Sequence, residues 1–291
     1  MSQFEIYTYQ FAPLVSDPAK NPVLFDDQPT AEQIMASKQS VFQSLFAEDA
    51  GLVFNIGGEI FRHQILLNYN GIIAMRLANN RQLVQEENFQ VRKLVNQPSC
   101  LIVIDNRGGC QSIAIQKNPT AFSQTRRVVN ILQATFNAYL LQHFLSVDIR
   151  RRLEENSFWQ IVDRCPEGVK SVRFEFSYPN LPRVSDNIHQ MFTELAKEFG
   201  ANSKYEINAI QGQRLILDRD NEMLKGLIKA SCDSGHGISV LPNGSGQRWH
   251  STCTGTGTGV TTELDPEWFE SDHRLFDDRY EKLAQEMNQF K

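Results

Sequence analysis

The stretch EIFRHQILLNYNGIIAMRLA, residues 59–78, constrains the fold more than any other part of the chain. Two apolar-rich segments flank the dipeptide Asn70-Gly71. Asn-Gly readily adopts the positive φ angles that a two-residue hairpin turn requires. The stretch therefore predicts an antiparallel hairpin, and the first part of the chain is predicted to be an antiparallel sheet with helices.

Neighbouring segments extend this prediction. Residues 3–11, QFEIYTYQF, alternate aromatic and polar side chains, which indicates a strand with one buried face. Thr30 stands where the N-cap of a helix over residues 31–49 belongs. Glycines at 57–58 and 108–109 mark further hairpin turns, between residues 51 and 69 and between residues 99 and 117. A short helix is predicted over residues 86–95.

A long connecting helix is predicted over residues 120–155, after Pro119. Val129, Leu132 and Phe136 recur at helical spacing and give this segment a wide apolar face. Its charged residues gather near its two ends. The helix is therefore expected to close a first domain, residues 1–155.

The second half shows the element order β-α-β-β-α-β. The strands are predicted over 169–178, 204–210, 213–220 and 236–242, and the helices over 185–201 and 221–235. This order matches the split βαβ, or ferredoxin-like, unit. The chain is thus predicted to be α+β, with a ferredoxin-like domain over residues 156–262 and an acidic helical tail over 263–291.

Composition limits the compartment and the class of protein. No apolar run in the 291 residues approaches the length that crosses a bilayer, and the N-terminus lacks the pattern of a secretory signal. Five cysteines, an odd number without paired spacing, fit a reducing compartment better than a disulfide framework. A cytoplasmic protein is expected.

Charge is segregated along the chain. Residues 263–291 hold nine acidic and four basic residues, whereas residues 107–152 hold seven basic residues and one acidic residue. Such an asymmetry indicates an anionic partner, or a basic face that the acidic tail covers. Phosphate contacts are predicted for Lys117, Arg126, Arg127, Arg150, Arg151 and Arg152. The alternative is a solvated helix face, with the last three arginines favouring a helix C-terminus through its dipole.

The segment CTGTGTGVTT, residues 253–262, has the glycine content of a phosphate-binding loop. A P-loop also needs a lysine and a following apolar helix, and this segment offers neither, since it precedes Asp265-Pro266. Its glycines at 255, 257 and 259 also miss the dinucleotide-binding spacing. A connection or an edge strand is therefore predicted.

A zinc site is a second possibility near this segment. Cys232 and His236 are four residues apart, His250 and Cys253 are three apart, and thirteen residues separate the pairs. Two cysteines and two histidines form a ligand set that tetrahedral zinc accepts, although this order is not a standard finger pattern. Alternatively, Cys232 packs on its helix and the other three lie on exposed turns.

Catalysis has less support from the sequence. Cys100, Cys110 and Cys165 have no histidine close in the chain, and a lone cysteine usually behaves as a small apolar residue. The acidic pairs Glu86-Glu87 and Glu154-Glu155 lie on predicted helices, where solvated charge is typical. The protein is therefore predicted to be non-enzymatic.

Five segments, in this order, carry a resemblance to a known family: SVFQSLFAEDAGLVFNIGGEIFRHQI, PSCLIVID, VKSVRFEF, LAKEFGA and RLILDRDNEMLKGLIKA. Together they resemble phage-exclusion proteins of the RexA type in element order and apolar pattern. The resemblance implies binding of DNA rather than RNA, and the sensing of phage infection beside a membrane-effector partner. A homo-oligomer is expected. The alternatives are an assembly subunit of a defence complex and a metal-dependent hydrolase that uses the Cys/His set.

Overall fold

The computed structural model describes residues 1–14, 29–47, 49–87, 89–176, 203–244, 246–253 and 258–269. Contacts between residues divide the chain into two compact units. The first contains Met1–Ile6, Phe11–Ile149 and the chain from Thr261 onward. The second contains Tyr7–Gln10 and Arg150–Val260.

Strands dominate the described residues. In chain order they are β1 (Ser2–Pro13), β2 (Phe54–Ile56), β3 (Glu59–Phe61), β4 (His63–Tyr69), β5 (Ile72–Ala78), β6 (Arg81–Glu87), β7 (Gln90–Asn96), β8 (Ser99–Asp105), β9 (Ser112–Gln116), β10 (Leu145–Arg151), β11 (Val169–Phe176), β12 (Ser203–Asn208), β13 (Ile238–Pro242), β14 (His250–Ser251) and β15 (Thr261–Leu264). The α-helices are α1 (Ala31–Ser44), α2 (Thr125–Leu140), α3 (Asn156–Asp163) and α4 (Glu222–Asp233). Short 3-10 helices cover Leu141–His143 and Pro266–Phe269. The predicted α+β class is confirmed.

A seven-stranded sheet organises the first unit. Its order is β10-β1-β9-β8-β5-β4, and β15 also pairs with β1, antiparallel, with Ser2 opposite Leu264. Every residue of β8 from Cys100 to Asp105 is buried. Successive strand residues point to opposite faces, so both faces of the sheet are covered at β8.

The hairpin at Asn70-Gly71 forms as predicted. Strands β4 and β5 pair in antiparallel register from His63–Leu77 to Tyr69–Ile72. Asn70 has φ 48° and Gly71 has φ 78°, as a two-residue turn of this kind requires. A β-carbon on Gly71 would lie 2.8 Å from Cγ of Arg107, so any other residue here would force the Arg107 side chain to shift.

Aromatic rings from α1 and α2 form the core above this sheet. The ring of Phe42 in α1 lies 5.0 Å from that of Phe136 in α2 and 5.4 Å from that of Phe11 in β1. All three side chains are fully buried. Helix α1 begins as predicted, because Thr30 and Gln33 form a reciprocal capping box.

Two helix predictions in this unit are wrong. The predicted helix over 120–155 ends at Leu140, and after Phe144, which is left-handed with φ 53°, the chain becomes strand β10. Alternate residues of β10 are buried, as in a strand with one buried face. The apolar pattern of α2, which precedes β10 in the chain, obscured this alternation in the sequence. The predicted helix over 86–95 is also wrong, because residues 86 and 87 lie in β6 and residues 90–95 lie in β7, which pair as a hairpin.

The second unit contains a four-stranded sheet of order β12-β11-β13-β14. Strands β12 and β13 both pair with β11 in antiparallel register. Helices α3 and α4 bury apolar faces on a core that contains Phe158, Phe174, Leu227, Ile228 and Val240. Asn221 caps α4 by accepting a hydrogen bond from the backbone N–H of Leu224 at 3.0 Å.

The second-half prediction holds only in part. Residues 213–220 are not a strand in the structure: Leu215 donates one backbone hydrogen bond to Val169, and Leu215 and Leu217 pack on the core without a ladder. One predicted strand is therefore wrong, β14 is an additional one, and the ferredoxin-like arrangement is not confirmed. The predicted helix over 185–201 lies outside the described residues, as does the acidic tail beyond residue 269.

In the described part of the chain, no helix combines the length and apolar character that crossing a membrane requires.

Candidate nucleic-acid interface

Three of the predicted phosphate contacts are exposed in the first unit, and we refer to Lys117, Arg126 and Arg127 as the exposed trio. Lys117 follows β9 and is anchored by its backbone N–H, which donates to the carbonyl of Gln3 at 2.9 Å. Arg126 and Arg127 lie in the first turn of α2. The trio thus brackets the turn that leads from β9 into α2.

Local pairing reduces the charge of this trio by different amounts. Arg127 forms an ion pair of 2.9 Å with Glu59, in which the side chains are 51% and 42% exposed. An exposed pair of this kind contributes only about 0–1 kcal/mol, so a phosphate can compete with Glu59 for Arg127. Among the described residues, neither Lys117 nor Arg126 has an ion-pair partner.

Helix energetics do not explain the two arginines. The N-terminal end of a helix carries partial positive charge and disfavours cations, yet the first turn of α2 contains both arginines and no acidic residue. Gln124 provides no side-chain cap. The hydroxyl of Thr125 donates to the buried carboxylate of Glu5, which brings one negative charge to this terminus. Both arginines nevertheless remain exposed to solvent.

Arg152 is not available to a ligand. Its side chain is 5% exposed, and its Nε donates to Oδ1 of Asp233 at 2.8 Å. A second guanidinium nitrogen, Nη2, contacts the same oxygen. Asp233 lies in the last turn of α4, where a negative charge is unfavourable to the helix dipole. Arg152 therefore compensates Asp233 within the fold, and a phosphate contact by Arg152 is not supported.

Arg150 and Arg151 are half-buried at the end of β10, so the explanation of these arginines by a helix C-terminus is wrong. A β-carbon on Gly259 would lie 2.0 Å from Nε of Arg151, which shows that the guanidinium lies flat against the Gly259 backbone. Gly259 also forms a β-bridge with Leu153. The bridge is isolated from the sheets, so the described end of the Thr-Gly segment is a connection rather than a strand, and residues 254–257 lie outside the described residues.

The predicted zinc ligands do not come together as a set. Cys232 is 1% exposed in α4, and burial raises the pKa of its thiol. His250 is exposed on β14, and Cys253 directs its thiol to the carbonyl of His236 at 3.1 Å. Across the described residues, no group of three or more His, Cys, Asp or Glu side chains is placed to hold a metal ion. The zinc prediction gains no support from this geometry.

Two further thiols, the buried Cys100 and the partly exposed Cys165, are also poor nucleophiles. Burial raises the pKa of Cys100 to about 12, and burial likewise raises the pKa of Cys165. The thiolate is the reactive form of cysteine, so both side chains are expected to remain protonated and unreactive at neutral pH.

A cleft of about 490 Å³ opens on the second unit, which we call the Trp249 cleft. It lies between the C-terminal end of α3 and the β13–β14 hairpin. Its lining combines one large aromatic ring with amides, charged groups and small apolar surfaces, from Ile161, Arg164, Cys165, Pro166, Glu167, Pro242, Asn243, Gln247, Trp249, His250 and Ser251. The volume falls in the range of about 300–1,000 Å³ that small-molecule sites occupy.

Arg173 holds the indole of Trp249 in place. Its Cζ lies 4.4 Å from the ring centroid, and its Nε donates to Oε2 of Glu206 at 2.9 Å. Trp249 is nevertheless 37% exposed and lines the cleft. The ring is therefore oriented from one side by a cation and accessible to a ligand elsewhere.

The polar side of the cleft is fixed by backbone contacts. Asn243 is held by two hydrogen bonds that it donates. Its backbone N–H donates to the carbonyl of Gly168 at 2.9 Å, and its Nδ2 donates to the carbonyl of Glu167 at 3.4 Å. A β-carbon on Gly244, which has φ 116°, would lie 2.9 Å from Oε2 of Glu167 and 3.5 Å from Cγ of Gln247. The Gly244 backbone thus brings the carboxylate and the amide together at one edge.

Comparisons with known proteins leave the function open. Neither protein-family models nor the sequences of curated proteins gave a match to this chain. The resemblance to RexA-type phage-exclusion proteins therefore stays a prediction.

Sequence reasoning missed the Trp249 cleft. Its lining comes from two segments, 161–167 and 242–251, that are about eighty residues apart. The available signal was a tryptophan within the polar, glycine-containing stretch NGSGQRWHS, where an aromatic residue is not needed for a core.

Proposed function

We propose that this protein binds nucleic acid without catalysing a reaction on it. The observation that carries the proposal is the exposure of Lys117, Arg126 and Arg127 in the first unit. Both arginines lie at the N-terminal end of α2, where positive charge does not stabilise the helix. Cations that neutralise phosphates supply affinity that does not depend on sequence and that weakens with salt. Arg152 is excluded from this surface because Asp233 neutralises it.

The biological setting follows from the family resemblance. A non-enzymatic sensor or regulator of prokaryotic phage defence would bind DNA and signal to a partner such as a membrane effector.

The test is a charge reversal with a matched control. We expect Lys117→Glu and Arg126→Glu each to weaken binding of a fluorescent 20-nucleotide DNA, measured by anisotropy between 50 and 200 mM salt. Each lost phosphate contact should reduce the slope of log K against log salt by about 0.7–0.9. Lys170→Glu makes the same change of charge at an exposed position of the second unit and should have little effect.

Two outcomes would reject the proposal. One is no binding of DNA or RNA at 50 mM salt. The other is an equal loss of affinity in Lys170→Glu, because a general effect of net charge would then explain the result.

A second candidate function, an assembly subunit of a defence complex, is favoured by the β6–β7 hairpin. In the described part of the chain these strands pair only with each other. Phe89, in the turn between them, is 98% exposed, and Val95 is 82% exposed. Phe89 lies at the turn of the hairpin and Val95 pairs with Gln82 near its other end, so the hairpin offers exposed apolar groups along its length to a partner. Light scattering of the wild type and of Phe89→Ser tests this candidate: an oligomer that Phe89→Ser dissociates supports it, and a monomeric wild type opposes homo-oligomerisation.

A further inference from the structure

We infer that the Trp249 cleft binds an unstacked nucleobase. The inference concerns the second unit and does not depend on the exposed trio, although it would add a base-binding site to the proposed nucleic-acid binding. Three features support it: the volume of the cleft, the indole of Trp249 that Arg173 holds in place, and the edge that carries the amides of Asn243 and Gln247.

The size of the cleft matches one nucleotide. The volume of about 490 Å³ accommodates a base with its sugar. The cleft is also open to solvent, so a strand could continue beyond the bound base. The base of a duplex is not accessible to such a site without being unpaired. The cleft therefore selects single-stranded nucleic acid or a free nucleotide over a duplex.

The indole supplies a stacking surface. Any base can stack on an aromatic side chain and gain binding energy, because every base has a π face. Arg173 contacts the ring of Trp249 from 4.4 Å but is not part of the cleft lining, so its guanidinium orients the indole without occupying the site. A freely rotating tryptophan would lose more side-chain entropy on binding a base than one held in this way.

The polar edge supplies hydrogen bonds to the base. Amides of Asn and Gln each donate and accept, which suits the mixed donor and acceptor edge of a base. Gln247 and Asn243 lie on the same side as the carboxylate of Glu167, which can accept from an exocyclic amine. Arg164, at the C-terminal end of α3, is exposed and offers a cation to a phosphate attached to the base.

Tryptophan fluorescence tests the inference directly. The chain has three tryptophans, at positions 159, 249 and 268. In the variant Trp159→Phe/Trp268→Phe, the remaining indole of Trp249 should be quenched saturably by AMP or CMP and by a short single strand. A duplex of the same sequence should quench weakly. Mononucleotides that bind as tightly as the strand would identify free nucleotide as the source of the base, and tighter binding of the strand would identify nucleic acid.

Substitution of the ring provides the second arm. Trp249→Ala should weaken binding of the single strand on the order of ten- to a hundredfold, and Trp249→Phe should restore part of that loss. Trp159→Phe is the matched control, since Trp159 stacks under Arg219 and is outside the lining. Circular dichroism must show that each variant is folded.

The possible failures are distinguishable. No quenching of Trp249 by any mononucleotide or single strand would overturn the inference. If Trp249→Ala binds a strand as wild type does while Lys117→Glu binds it weakly, the cleft inference fails and the proposed function stands. If Trp249 is quenched normally but Lys117→Glu and Arg126→Glu have no effect, the exposed trio is excluded and the cleft remains.

Discussion

The ion pair between Arg152 and Asp233 should be a main determinant of the stability of the second unit. Its side chains are 5% and 14% exposed, so both charges are largely removed from water. Removing one partner of a buried pair leaves an uncompensated charge and costs about 3–5 kcal/mol. Because the amide oxygen of an asparagine can still accept from Nε of Arg152, we expect Asp233→Asn to lie near the lower limit, at about 3 kcal/mol.

The two positions should be strongly coupled. Arg152→Met leaves Asp233 in the last turn of α4, where the helix dipole also opposes it, so a loss of about 3–5 kcal/mol is expected. The double variant Arg152→Met/Asp233→Leu removes both charges and should change the free energy of unfolding by about 1 kcal/mol or less. The sum of the single effects should therefore exceed the double effect by several kcal/mol.

Urea unfolding followed by tryptophan fluorescence is a suitable assay, since Trp159 and Trp249 belong to the second unit. A loss of 3 kcal/mol lowers the urea midpoint by about 1–3 M at ordinary m values. Glu59→Gln, which breaks the exposed pair with Arg127, is the matched control and should cost below about 1 kcal/mol. If Asp233→Asn costs no more than Glu59→Gln, burial does not set the strength of the pair and the reasoning fails.

Three further predictions concern the first unit. Phe136→Ala removes a fully buried ring that meets Phe42 and should cost about 3–5 kcal/mol in thermal or urea unfolding. Gly71→Ala places a β-carbon at φ 78° and 2.8 Å from the Arg107 side chain, and should cost about 1–2 kcal/mol. Gly108→Ala should be nearly neutral, because Gly108 has no positive φ and its β-carbon would meet only Nε2 of Gln39, at an ordinary contact distance of 4.0 Å. Burial lowers the pKa of His63 from 6.5, so the neutral form stabilises the fold above pH 6.5 and that stability is lost as the pH falls through the lower folded pKa. Stability curves of the wild type between pH 7.5 and 5 should therefore fall more steeply than those of His63→Gln, and parallel curves would contradict this account.

Local patterns predicted the elements whose cause is local. The Asn70-Gly71 turn and the Thr30 cap both depend on residues within a few positions of each other, and both formed as predicted. The strand β10 was missed because its alternation follows directly on the apolar face of α2. When the apolar residues of β10 are counted together with those of α2, their spacing fits a helical period as well as a strand period. The β10 residues are Leu145, Val147 and Ile149. The left-handed residue Phe144, which separates the two, has no sequence signature of its own.

The candidate site was less predictable because its contacts are long-range. Arg152 meets Asp233, which is 81 residues away, and Arg127 meets Glu59, which is 68 residues away. A count of charges along the chain gives no information on such pairs. The Trp249 cleft has the same origin, because neither of its two segments forms a site alone.

These pairings set a limit on how nucleic acid could be bound. Of the seven basic residues between 107 and 152, Arg107, Arg127 and Arg152 each have a carboxylate partner, so the surplus of charge in the sequence is only partly a surplus on the surface. Two or three phosphate contacts by the exposed trio predict a slope of log K against log salt between about −1.4 and −2.7. Binding of useful strength would then need a contribution that salt does not screen, and base stacking in the Trp249 cleft is of that kind. A measured slope steeper than about −4 would instead require cations beyond the trio.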